Sequence, residues 1–167
     1  MHEFVLPICN PPIIQTTSDY ADMFTILPLH SDFQNWLGTH YSNLVYLHTP
    51  DENYQINFCS EIYTDCELLD YDIHSSEMSM SEDEIGIDNV VDYIKELISK
   101  KYYAIVETNQ YNVQGTSYYR KIQYMHRQLF YGYSDIDKCF YTLGYNKQRK
   151  YRSLAIPYEE IPKATIE

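Results

Sequence analysis

The chain has 167 residues, 44% of them hydrophobic and 22% charged, a balance that suits one globular domain and not a disordered chain. Its net charge of -12, from 24 acidic and 12 basic residues, argues against nucleic acid or an anionic membrane as partner, because phosphate binding needs clustered Lys and Arg. No apolar run approaches the roughly 20 residues a membrane helix needs, and the opening Met1-His2-Glu3, with Pro7 close behind, carries no signal pattern, so the expected compartment is cytoplasmic.

From the N-terminus, Phe4 to Ile14 is apolar but holds Pro7, Pro11 and Pro12, which predicts an extended segment. Thr16 to Asp19 is a run of good helix N-caps. Tyr20, Met23, Phe24 and Leu27 then share one helical face, and Pro28 ends that helix. Asp32 is placed to cap a second helix carrying Trp36, Leu37, Tyr41, Leu44 and Val45. His48 to Asn53 reads as a turn, and the alternation of Tyr54, Ile56 and Phe58 predicts a strand over 53–59.

Acidic residues concentrate between Glu61 and Asp92, and Ser75 to Glu84 reads as a solvated acidic loop without the ligand spacing of a calcium site. Asp88 is expected to cap the clearest helix, with Val90, Val91, Ile94, Leu97 and Ile98 as its core stripe and Lys100 and Lys101 near its end. Tyr102 to Thr108 reads as a buried strand, Asn109 to Ser117 as a polar loop. Further strands are expected near Met125–Tyr133, Cys139–Leu143 and Tyr151–Ile156, with Ser134 to Asp137 as a hairpin turn. Helices first and a mostly antiparallel sheet after make the fold class α+β, in a single domain over 1–167.

Cys9, Cys59, Cys66 and Cys139 show no metal-ligand spacing and are read as free thiols, and no cofactor motif is present. The 19 tyrosines favour strands and contact surfaces, and Lys147, Arg149, Lys150 and Arg152 form a locally basic strip. His126 opens the apolar strand that ends in Gly132-Tyr133, the place where a papain-like fold carries its general-base imidazole.

Val90 to Ile94, Tyr102 to Val106, His126 with Leu129-Phe130-Tyr131-Gly132-Tyr133, Phe140 with Leu143-Gly144-Tyr145, and Ile156 with Tyr158 to Ile161 and Ala164 follow one another in an order that resembles a known family. The family is that of bacterial proteins related to the N-terminal domain of the butirosin biosynthesis H protein. The resemblance implies a papain-like, cysteine-peptidase-like fold and a place in peptide natural-product biosynthesis. It implies acyl transfer or amide formation on a carrier-bound intermediate, with a carrier protein or synthetase module as partner. It puts His126 at the general base, Ser18 where the family has its nucleophilic Cys, and Gly144 where the orienting Asp belongs, with Asn146 two residues on as the substitute. Family members often run longer, so a truncated or partial member is one reading of the 167 residues, and a homo-oligomer is left open.

Two other functions stay open beside that one. The first is a catalytically inactive relative that kept the fold for partner binding. The second is an acidic inhibitor that mimics nucleic acid.

Overall fold

A ten-residue strand rich in aromatic and aliphatic side chains, Met125–Ser134 (β5), organises the architecture. The computed structural model describes residues 3–15, 18–31, 33–41, 44–48, 54–58 and 89–165. It has two compact units, Met1–Ile26 with Ser79–Glu167, and Leu27–Met78.

In the first unit, β5 lies inside a five-stranded sheet. One edge of β5 pairs with Cys139–Tyr145 (β6), which pairs in turn with Tyr151–Pro157 (β7). Two strands share its other edge. Ala104–Asn109 (β4) takes the first half, from Ala104 opposite Phe130 to Asn109 opposite Met125, and Glu3–Val5 (β1) takes the last turns opposite Gly132 to Ser134. Every pairing is antiparallel. The register of β5 on β6 shifts between Phe130 and Gly132. A Cβ on Gly132 would stand 2.9 Å from the Phe4 carbonyl oxygen, so glycine is what lets β1 approach there.

Ser18–Ile26 (α1) forms after the predicted cap run and stops as Leu27–Leu29, containing Pro28, tightens into a 3-10 turn. Tyr20, Ala21 and Phe24 are buried, Met23 half so. Val90–Ser99 (α3) buries Ile94 and Ile98, each contributing about 1.5–3 kcal/mol. Asn89 occupies its N-cap position; the expected cap Asp88 lies outside the described residues. Tyr158–Glu160, a 3-10 turn, runs into the short helix Ile161–Ala164 (α4), which buries Ile161 and Ala164. Lys95 of α3 bridges to Asp135 at 2.6 Å and lies over the rings of Tyr133 and Tyr158, tying the helix to the β5–β6 hairpin. Ser134 Oγ donates to Asp137 and receives the Asp137 N–H, which closes the predicted turn.

In the second unit, Phe33–Tyr41 (α2) stacks Phe33 on Trp36 and is followed by the antiparallel pair Leu44–His48 (β2) and Tyr54–Phe58 (β3). Leu44 and Val45, expected on the second helix, therefore belong to a strand. Leu44-Val45-Tyr46-Leu47 is a branched and aromatic run that fits a pleated pair better than a helical turn. The acidic stretch 75–84 lies outside the described residues. Helices packed with an antiparallel sheet make the chain α+β. No described helix is long and apolar enough to cross a membrane.

Candidate functional site

His126 sits one residue into β5, half-buried, as the strand pattern requires. The Tyr145 ring stacks on its imidazole, centroids 5.6 Å apart and planes within 12°, and the Tyr124 ring meets it edge-on at 5.6 Å. Its Nδ1 accepts the Arg127 backbone N–H at 2.9 Å. A neutral imidazole whose Nδ1 accepts carries its proton on Nε2. A general base needs the reverse, with a bare Nε2 toward the nucleophile and Nδ1–H held by an orienting acceptor.

Ser18 is the first residue of α1 and is 8% exposed. Among the described residues no hydrogen bond joins it to His126. Tyr145 touches His126 and the segment that precedes Ser18. The same ring that stacks on His126 sends its hydroxyl to the Gln15 carbonyl at 3.1 Å, three residues before Ser18. A second link follows through Tyr151, packed edge-on against Tyr145, whose hydroxyl donates to the Asp22 carboxylate of α1. Burial, and then the Asp22 charge, push the Tyr151 hydroxyl far above the ordinary tyrosine range.

Asn146 stands in the β6–β7 turn. Its Oδ1 accepts the N–H groups of Gln148 at 2.9 Å and Lys150 at 3.1 Å, and its backbone bonds Lys150 and Arg149. That is the turn-building use of an Asn side chain, and it occupies the oxygen that would orient an imidazole.

Gly144, where the resemblance puts an orienting residue, faces Gln128. A Cβ there would lie 2.6 Å from both Gln128 side-chain termini, so the carboxamide fills the space an orienting side chain would need. Gln128 is fully buried. It accepts from Gln110 at 3.3 Å and donates to Thr142 at 3.3 Å, and Gln110 also donates to Thr108 at 3.1 Å. Periodicity did not reveal this network, because a polar residue at an inward strand position reads as a break in the pattern. The usable signal was a glycine on β6 beside a glutamine on β5.

Cys139 is buried at the start of β6, and burial, with Asp137 and Glu3 nearby, pushes its thiol up, away from the thiolate a nucleophile requires. Cys9 is half-buried in the extended N-terminal segment, its N–H bonded to the Thr25 carbonyl. Cys59 and Cys66 lie outside the described residues. Among the described residues no group of three metal-ligating side chains comes together.

No family model, curated protein or solved structure matches the chain. The chemistry of the site is that of an imidazole flanked by two tyrosine rings, its acceptor nitrogen taken by the N–H of the next residue.

Proposed function

We propose that this chain is a cysteine-peptidase-like relative of the butirosin H N-terminal family that no longer transfers acyl groups. It serves peptide natural-product biosynthesis by binding a carrier protein or synthetase module. The observation that carries the reading is the Arg127 N–H donated to His126 Nδ1. To act as a base through Nε2, the ring would need the other tautomer, which sets two N–H donors against each other. Asn146 Oδ1, held by the turn, offers no compensating acceptor.

A second reading is acyl transfer with His126 as base and Ser18 as nucleophile. One observation favours it: Tyr145 connects His126 to the segment that enters α1.

One experiment separates the two. The chain is mixed with a carrier protein bearing an isotopically labelled acyl thioester and with an amine acceptor, then followed by size-exclusion chromatography and intact-mass spectrometry. Under the binding reading the carrier co-elutes, keeps its acyl group, and does so equally with His126→Ala. A labelled adduct on Ser18 or a cysteine that disappears in His126→Ala overturns that reading, as does a carrier that never co-elutes.

A further inference from the structure

The strands gather opposite charge from the rest of the chain at one end of the sheet. Residues 61–92 hold 11 Asp and Glu and no Lys or Arg, whereas 108–134 and 138–158 together hold eight Lys and Arg and no Asp or Glu. All of those eight except Lys138 fall where β5 begins, β6 ends and β7 begins. The Thr116–Asn146 bridge fastens the loop of Arg120 and Lys121 to the turn of Lys147, Arg149 and Lys150. These five side chains are exposed. Arg152 is committed to Gln15, and Glu107 stands across from Arg127, so neither arginine is counted with them. Glu160 is also engaged, accepting the Gln114 N–H.

Among these bases lies an apolar centre. Ile122 is 59% exposed, Tyr124 43% and Met125 36%. An apolar middle with a charged rim is the anatomy of a protein interface, in which Tyr, Met and Arg are enriched.

We propose that this end of the sheet docks an acidic protein face, rich in Asp and Glu around a few apolar side chains. This deepens the partner-binding reading and rests on it. The ring arrangement favours protein over nucleic acid. Tyr118 packs on Tyr124 at 4.6 Å, Tyr124 on His126, and Arg120 covers Tyr111 and Tyr119, so these aromatic faces are occupied within the chain and not open to stacked bases. A nucleic acid, being anionic along its whole length, would also meet the repulsion of a chain with net charge -12, which a local acidic patch on a protein avoids.

The test uses the full chain and a fluorescent amphipathic helical peptide with Asp and Glu around a leucine stripe. Controls are its Lys-for-acid counterpart and a single-stranded oligonucleotide of equal charge, all followed by anisotropy across a salt series. The acidic peptide is expected to bind, more weakly as salt rises, and Arg149→Gly with Lys147→Ala to weaken it roughly tenfold or more while the melting temperature does not fall, since glycine adopts the φ of 56° at position 149 without strain. Replacing Lys100 and Lys101, on the far side of β4, is expected to change nothing. The proposal is overturned if the acidic peptide fails to bind, if the paired variant binds as well as the parent, or if the oligonucleotide binds more tightly. The acyl-transfer assay is scored separately, so the surface can fail while the non-catalytic reading stands.

Discussion

Gly144→Ala tests whether the buried Gln128 carboxamide fills the space beside Gly144. The new methyl would lie 2.6 Å from both carboxamide termini and 2.8 Å from Cδ, closer than real Cβ contacts come, so Gln128 must move. Its side chain is fully buried, and moving it breaks the bonds to Gln110 and Thr142. Overpacking costs about 1–3 kcal/mol, and leaving buried partners unpaired about 1–3 kcal/mol more. Alanine recovers roughly 0.5–1 kcal/mol over glycine in a strand. The net loss is about 1–5 kcal/mol, which with a urea m-value of about 2 kcal/mol/M lowers the midpoint by roughly 0.5–2.5 M. Adding Gln128→Ala opens the space, so Gly144→Ala introduced into that background should cost almost nothing. A double-mutant cycle read by urea denaturation makes the comparison. If Gly144→Ala proves neutral in the parent, or costs the same in both backgrounds, the account of Gln128 as the occupant of that position is wrong.

Tyr151→Phe removes the donor to the Asp22 carboxylate and should cost about 1–3 kcal/mol in chemical denaturation, with Asp22→Asn coupled to it in a cycle. Tyr103, Tyr151 and Tyr158 all have hydroxyls pushed up, by burial first in each case, so the folded chain holds their protons longer than the unfolded chain does. The stability they contribute is complete below the ordinary tyrosine value near 10 and is lost as pH rises above it; the urea midpoint should fall there, and spectrophotometric titration should show a late-ionising group of tyrosines that disappears on unfolding. Asn146→Ala should cost about 1 kcal/mol, while Asn146→Asp, which keeps the acceptor among basic neighbours, should be nearly neutral. In both variants the NMR signals of the His126 ring should stay in place, because Asn146 serves the turn; a large shift of those signals in Asn146→Asp would argue for the orienting role.

Much of the fold was legible because its signals are apolar and local. The stripe from Val90 to Ile98 became α3, the hairpin around Ser134 to Asp137 closed as read, and the strand that His126 opens begins at Met125. The second helix is shorter than its spacing predicts because Leu44 and Val45 satisfy helical spacing and strand propensity alike, and only the pairing with β3 decides between them. The candidate site was harder to read. Sequence order located His126, but its tautomer depends on a contact with the next residue's N–H, and the filling of the Gly144 position depends on a side chain 16 residues away. Hydrophobic patterning carries no information on either.

The two strands that share one edge of β5 also set an order of assembly. β5, β6 and β7 are joined by short turns and can pair as soon as they exist. β1 precedes them in the chain and has no place in the sheet until Ser134 is available to Glu3, more than a hundred residues later. Among the described strands the β1–β5 pairing therefore closes the longest loop in the sheet, and Gly132, where the Phe4 carbonyl comes to rest, belongs to that long-range contact.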